Sequence, residues 1–551
     1  MRAAALSKSE PGSGVDVLLA PLSVTVRSWP KRAAMLAGIA IAAHVAAVRA
    51  AAMDWNYLVQ KLAALVVWTL LLANVHAMMP AVRLRRLIAP GLLFAPLVVL
   101  GAYRTLEASQ RSAATELDRY AGYDVSYKLI RDALAQPRST DPGIYDFLQR
   151  VTNIARDIEI APLDVELVPR LQAGAGARPN IIIIVIDSLR RDYLSDYDAR
   201  VTFTPNLARF AADSIVFRNA FTHYGATGLS EPSIWVGGMF PHKQYITPFF
   251  PMNALQKLLE AEHYQCFISV DTILRSVVQP SAAIVELDQG VLNKDYDLCR
   301  TLGELEQKLA ARDPSRPFFV YTQPQNIHIS RITREGSKPI DDLPYPGFYA
   351  PYASRLRRMD RAFGEFLAFL EDRGLYDQSI VVFTADHGDS LGEDGRWGHA
   401  YTIYPEVVRI PLIVHVPQAL RAAHVFDADD LAFSTDLTPS LYYLLGHPPT
   451  LDAPMYGRPL FTRTHGERTA REQPAYLLAS SYGPVYGILR DHGRALYIVD
   501  AVNYKDYDYD LADPRHDRRR DVSAELRAEQ VSLIRKRVGE IHELYHVPPL
   551  R

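Results

Sequence analysis

The chain has 551 residues, 48% of them hydrophobic, with 60 basic against 62 acidic side chains and a formal net charge of −2. That length exceeds a single hydrophobic core and predicts at least two folding units. The balance of charge excludes the basic footprint of a nucleic-acid-binding protein, so no nucleic-acid partner is expected.

The average conceals two regimes. Residues 1–32 hold Gly, Ser and Pro and read as a cytoplasmic tail, whereas residues 33–103 are mostly apolar with few charges. Three apolar runs, at about 33–52, 58–79 and 87–103, each approach the roughly 17–25 residues that a membrane-crossing helix needs. Pro90 and Pro96 in the third are tolerated better in membrane helices than in soluble ones. A signal peptide would carry one apolar core, not three. Arg27, Lys31 and Arg32 precede the first run, and Arg83, Arg85 and Arg86 separate the second from the third. The positive-inside rule therefore predicts a multi-pass protein of the inner (cytoplasmic) membrane, with the bilayer as a partner and everything after residue 103 on the periplasmic or extracytoplasmic side. Cys266 and Cys299 both fall in that exported part. A disulfide is permitted there, and the sequence leaves their pairing open.

Residues 104–178 show mixed-charge helical patterns and are expected to form a helical connector, ending in the Gly/Ala hinge before Pro179. A main domain is predicted over 179–470 and a C-terminal subdomain over 471–551. Within the main domain, the run Asn180-Ile-Ile-Ile-Ile-Val-Ile186 shows no alternation, which marks a strand buried on both faces of a parallel sheet. Further strands are predicted near 214–221, 265–270, 318–322, 379–384 and 410–416. They alternate with helices from Pro205, over 253–263 and over 354–373. Such alternation argues for a largely parallel sheet sandwiched by helices. The Tyr- and Val-rich stretch 475–510 suggests a small antiparallel sheet, followed by a charged helix over 524–545.

Two of the buried strands end in potential ligands. Asp187 follows the first, and Asp386-His387-Gly388-Asp389 follows the strand at 379–384. Ligand sites of open α/β sheets gather at the carboxyl ends of strands. A mixed oxygen and nitrogen donor set of this kind suits a divalent metal ion such as Mn, Zn or Ca. His328 follows a third strand, and His399 lies in Gly395-Arg-Trp-Gly-His399. The hydroxyl-rich segment His223–Ser233 precedes a helix predicted from Pro232. Ser230 there is either an N-cap or a nucleophile, placed where a metal and a helix end both favour an alkoxide.

These segments together resemble one family. Ile186-Asp-Ser-Leu-Arg-Arg-Asp192, Ser230-Glu-Pro-Ser233, Thr384-Ala-Asp-His-Gly-Asp-Ser-Leu-Gly392 with Trp397-Gly-His399, Val408-Arg-Ile-Pro-Leu-Ile-Val414 and Ser434-Thr-Asp-Leu-Thr-Pro439 are similar, in order, to the sulfatase family of the alkaline phosphatase superfamily. The resemblance covers about 179–461. It implies an alkaline-phosphatase-like α/β sandwich as the catalytic domain, with a small C-terminal α+β part, preceded here by the three transmembrane helices. It implies a metal held by Asp187, Asp386, His387 and Ser230, with Ser230 as nucleophile. His328 and His399 match positions that contact the transferred anion or protonate the leaving group, and Asp360 matches a family acid read as structural.

Two departures matter. Ile234 stands where the formylglycine signature carries arginine, which argues against conversion of Ser230 to formylglycine. Ser188 stands where many sulfatases have a second metal-binding aspartate, which moves the shell toward Mn or Zn. Both changes resemble phospho-transferring relatives that use an unmodified Thr or Ser. The expectation is a membrane-anchored, metal-dependent hydrolase of sulfate or phosphate esters, its substrate a sulfated or phosphorylated glycan or lipid. The alternatives are a phosphoethanolamine- or phosphoglycerol-type transferase acting on envelope lipids or glycans, and a non-catalytic sulfatase-like binding domain. Ser230 is preferred as nucleophile, with Thr227 as the fallback.

Overall fold

The computed structural model describes residues 143–152, 162–173, 178–241, 246–399, 401–450, 457–512 and 518–547, with a few positions between 62 and 127. The chain divides into two compact units, Met1–Gln136 and Pro137–Arg551. The segment 1–32, expected as a cytoplasmic tail, and most of the three apolar runs lie outside the described residues. Of the second run, Leu62 and residues 64–70 are described and helical. Among the described residues, no helix is long and apolar enough to cross a membrane.

The second unit is built on a seven-stranded sheet of order β2-β10-β7-β1-β6-β4-β5. Its strands are β1 (Asn180–Ile186), β2 (Ile215–Val216), β4 (Gln265–Ser269), β5 (Ile284–Leu287), β6 (Phe318–Thr322), β7 (Ser379–Ala385) and β10 (Leu412–His415). β1 is central, parallel to both β6 and β7, and Ile181–Ile186 are all fully buried. Burying each such isoleucine contributes about 2 kcal/mol, and burial on both faces explains why the strand carries no polar alternation.

Helices cover both faces, as the registers show. Ile183 pairs with Tyr321 and Ile184 with Phe383, so these two aromatic rows point to opposite sides of the sheet. Phe383 packs on Phe363 of the Ala350–Asp372 helix, with ring centroids 5.0 Å apart. Tyr321 packs on Trp235 of the Thr227–Val236 helix at 5.1 Å. The α/β sandwich expected from the sequence is present.

Two expectations need correction, and the mostly parallel sheet carries one antiparallel strand. The strand expected over 214–221 is two strands: β2 joins the main sheet, while β3 (Asn219–Phe221) pairs in parallel with β11 (Leu431–Phe433). β10 runs antiparallel to β7, because the connection from Ala385 returns along the carboxyl edge without a long crossover helix. The connector is helical in Gly143–Val151, but 162–173 is irregular. That helix lies on the C-terminal part, where Tyr145 donates to Asp506 Oδ1 at 2.9 Å and Gln149 to the Ala501 carbonyl at 3.0 Å.

The C-terminal part is a five-stranded antiparallel sheet, β12 (Ala475–Ala479), β13 (Val485–Arg490), β14 (Ala495–Asp500), β15 (Lys505–Asp510) and β16 (Arg518–Arg520). The Ala524–Leu544 helix buries Val531, Ile534, Val538 and Ile541 along one stripe. Cys266 and Cys299 are free thiols.

Asp360 holds the start of the Pro205–Ala212 helix from outside. Its carboxylate accepts from the backbone N–H groups of Asn206 (3.2 Å) and Leu207 (2.8 Å) and from the Asn206 amide (2.8 Å). It therefore serves as a cap supplied by another helix, since Thr204 makes no side-chain cap bond. Asp360→Ala is expected to lower stability by about 1–3 kcal/mol while leaving the KM of any substrate unchanged, as read by urea unfolding alongside steady-state kinetics.

Candidate active site

The parallel register of β1 and β7 places Ile186 beside Ala385, so Asp187 and Asp386, each the next residue, emerge side by side at the carboxyl edge. Both are buried, as is His387. One ligand atom from each of the three lies within 4.8 Å of the others. Two carboxylates at that separation repel by about 3.5 kcal/mol at an effective dielectric of 20. Among the described residues, no Lys or Arg forms an ion pair with either carboxylate, and the group beside them is the His387 imidazole, whose Nε2 lies 3.3 Å from Asp386 Oδ2 and 3.9 Å from Asp187 Oδ1.

The titration of the cluster reflects this crowding. Burial, and then the charge of Asp187, push Asp386 up to about 7, against the opposing pull of His387. Burial raises Asp187 too, but His328, His387 and His399 outweigh it and hold that carboxyl low. The pair behaves as a site that shares one proton unless a cation neutralises it.

Hydrogen bonds fix the remaining ligand geometry. His387 Nδ1 lies 2.8 Å from the Gly388 carbonyl, which has no proton to give. The imidazole proton therefore sits on Nδ1, and Nε2 presents a lone pair toward the two aspartates. Gln323 donates to Asp386 Oδ2 at 2.9 Å, and Gln325 donates to Asp187 Oδ2. Ser188 Oγ donates to Asp187 Oδ1 at 2.8 Å, and its backbone N–H donates to Asp386 Oδ1 at 3.3 Å. Two buried acids, a bare imidazole nitrogen and no basic side chain form a donor set that fits a divalent cation.

The hydroxyl that meets this cluster is that of Thr227. Its Oγ1 is 2.7 Å from Asp386 Oδ2, 3.3 Å from Asp187 Oδ2 and 3.2 Å from His387 Nε2. Thr227 is the first residue of the helix Thr227–Val236, so it also sits at the positive end of the helix dipole. Ser230, expected to fill this role and the fourth metal position, is placed elsewhere. It is one turn inside the helix, fully buried, and its Oγ donates to the Ala226 carbonyl at 3.0 Å. The helix starts five residues before Pro232, which lies inside it rather than at its first position.

His399 and His328 stand over the cluster. The His399 ring is 4.1 Å from that of His387 and 5.0 Å from that of His328, and its Nδ1 is 3.2 Å from Asp389 Oδ1. Burial, then the neighbouring His387 and His328, hold His399 well below the ordinary histidine range. His328 Nδ1 accepts from the backbone N–H of Ser330 at 3.1 Å, which leaves its proton on Nε2 as a donor. His328 thus presents an N–H at Nε2, whereas His387, and His399 with its Nδ1 on Asp389, carry the proton on Nδ1.

The structure brings Asp187, Asp386, His387, His328 and His399 together. Gln323 and Gln325 were not singled out in the sequence. Their signal was the end of β6, a third buried strand running into Gln323-Pro-Gln325.

A divalent-metal type of ligand set beside a helix-borne hydroxyl, at the carboxyl edge of a helix-flanked, mostly parallel sheet, defines the class of protein. Residues 179–447 match the family described as Sulfatase. An N-acetylglucosamine-6-O-sulfatase of Bacteroides thetaiotaomicron is 28% identical over 178 residues, 31% of this chain and 31% of that protein. Human iduronate 2-sulfatase is 36% identical over 138 residues, 23% of this chain and 24% of its own length. The chain thus aligns with about a third or less of the length of these relatives. A Vibrio parahaemolyticus protein of the alkaline phosphatase superfamily superposes with a TM-score of 0.49 at 17% identity, covering 75% of this chain and 98% of that one.

Replacing Asp386 with Asn keeps the shape but removes a ligand charge. Metal content of the purified protein, measured by elemental analysis, is expected to fall from about one equivalent per chain to below about a tenth, in line with the steep dependence of such sites on ligand charge. Ser230→Ala is expected to leave metal content unchanged.

Proposed function

We propose that the protein is a metal-dependent hydrolase or transferase of phosphate esters that works through Thr227 as a covalent nucleophile. The observation that carries this reading is the contact of Thr227 Oγ1 with all three candidate ligand residues. Asp187, Asp386, His387 and Thr227 Oγ1 would hold a divalent cation, of the Mn or Zn kind by its donors. Such an ion lowers the pKa of a bound hydroxyl and offsets the charge of the ester.

The residues then divide the work. With the cation bound, the Thr227 hydroxyl would lose its proton to solvent, and the helix N-terminus favours the resulting alkoxide. Thr227 Oγ1 attacks the phosphorus in line and the ester oxygen departs, with His328 Nε2–H donating a hydrogen bond to it and solvent supplying its proton. His399, oriented by Asp389, accepts a proton from the second acceptor, water or a sugar hydroxyl, which breaks the Thr227–phosphorus bond. The acceptor decides between hydrolysis and transfer.

Sulfate-ester hydrolysis is the second reading, favoured by the names of the sulfatase relatives. Against it stands the chemistry of the nucleophile. Formylglycine is an aldehyde made from a Cys or Ser side chain, and threonine carries a methyl group where that aldehyde hydrogen would be. A non-catalytic binding domain is disfavoured by a complete set of Asp187, Thr227, Asp386 and His387.

The same proposal anchors the chain in a cytoplasmic membrane through 33–52, 58–79 and 87–103, with the site on the extracytoplasmic side and a glycan or lipid ester as substrate. The basic residues before the first run and after the second support it. So do Leu65, Val66, Val67 and Trp68 in the helical stretch, each at least 45% exposed, since four successive residues cover most of a helix circumference.

The test is turnover of phosphate mono- and diesters and of sulfate esters by the metal-loaded full chain. Thr227→Ala is expected to lower kcat by roughly 1000-fold or more, and Ser230→Ala to stay within about threefold. Peptide mass spectrometry is expected to find a phosphoryl adduct on Thr227 and unmodified Ser230. Full activity in Thr227→Ala, or formylglycine at Ser230, would overturn the reading.

A further inference from the structure

The nucleophile's surroundings include a residue that no motif marks. The turn between β12 and β13, Ser480-Ser-Tyr-Gly-Pro484, belongs to the C-terminal sheet, yet it reaches the first turn of the Thr227–Val236 helix. Ser481 Oγ donates to the Ala226 carbonyl at 2.6 Å. A Cβ placed on Gly228 would meet Tyr482 Oη at 2.5 Å and the adjoining ring carbons at 3.0 Å. The phenol therefore lies against the backbone of the residue that follows Thr227, and only glycine admits it there.

The same turn meets the loop that carries His399. The Tyr482 and Tyr401 rings are 6.3 Å apart, and a Cβ on Gly483 would sit 3.0 Å from Tyr401. Tyr401 in turn donates its backbone N–H to the His399 carbonyl at 3.0 Å. Tyr482 is half-buried. Tyr482 thus lies against the helix start that bears Thr227 and near the loop that bears His399.

A group transferred to Thr227 presents its non-bridging oxygens to the walls around that hydroxyl. The aspartates cannot donate hydrogen bonds to those oxygens, so donors must come from elsewhere. We infer that Tyr482 is a catalytic residue whose hydroxyl donates a hydrogen bond to a non-bridging oxygen of the tetrahedral group in flight, and that the C-terminal subdomain therefore completes the active site. This rests on the Thr227 reading given above. The phenol keeps its proton throughout, so it adds no proton-transfer step. Its value is greatest in the transition state, where charge spreads onto those oxygens.

The experiment uses the metal-loaded full chain, a phosphate ester and orthovanadate, which mimics the five-coordinate transition state. Tyr482→Phe is expected to lower kcat/KM by roughly 10–100-fold, of the order seen when one preorganised donor is lost, and to weaken orthovanadate inhibition by a similar factor. Metal content and thermal midpoint are expected to stay at the wild-type values. Gly228→Ala supplies a second arm. It is expected to impair turnover strongly in the tyrosine background and much less in the Tyr482→Phe background, because the closest clash is with the hydroxyl.

Turnover and vanadate affinity of Tyr482→Phe within twofold of wild type would overturn the inference. So would a loss of activity matched by an equal loss of metal, which marks a purely structural tyrosine. The two readings fail separately. Activity surviving Thr227→Ala sinks the nucleophile, whereas a dead Thr227→Ala with an unimpaired Tyr482→Phe sinks only Tyr482.

Discussion

Two buried carboxylates forced into contact are the constraint on which this site depends. Parallel pairing of β1 with β7 runs without a break from Asn180 beside Ser379 to Ile186 beside Ala385. The next residue on each strand is an aspartate, and the sheet leaves neither of them room to turn away. Leaving such a pair unpaired in the interior is costly, and the surroundings are arranged to offset it. His387 turns a lone pair inward because its Nδ1–H donates to the Gly388 carbonyl. Ser188, Gln323 and Gln325 donate hydrogen bonds. None of these brings a full positive charge, and a cation is the partner such an arrangement favours.

The placement of the hydroxyl follows from the same constraint. A helix that begins at Thr227 aims its unsatisfied first N–H groups and its dipole toward the acidic pair. The local fold pins that start. Leu229 and Ser230 both direct their N–H groups to the Ala226 carbonyl, and Ser230 Oγ and Ser481 Oγ do the same. Ser230 is consumed in holding the helix end, which leaves Thr227 as the hydroxyl that faces the ligands. The structural and the chemical hydroxyl lie three residues apart on one turn.

The C-terminal sheet has a part in this. Its β12–β13 turn reaches the Thr227–Val236 helix, and an isolated bridge joins Tyr224 to Ala479 just before that helix. The Ala524–Leu544 and Gly143–Val151 helices pack on the same sheet and brace it. The second sheet is thus continuous with the wall of the site.

Much of this was legible in the sequence because burial on both faces leaves a plain mark. The runs at 180–186 and 379–385 carry no polar alternation, and a charged residue at the end of such a run has a structural or chemical reason to be there. Asp187, Asp386 and His387 could be named on that ground, and the family frame added His328 and His399. Sequence could not decide between Thr227 and Ser230. Ala226, the N-cap, has no capping side chain, and Pro232 imitates a helix start while lying five residues inside one. Nor could it show that β10 runs antiparallel, that Gln323 and Gln325 converge on the cluster, or that Tyr482 meets the start of the Thr227–Val236 helix. These depend on which strand neighbours which, and on a turn more than 250 positions from the residue it touches, and local pattern carries no record of either.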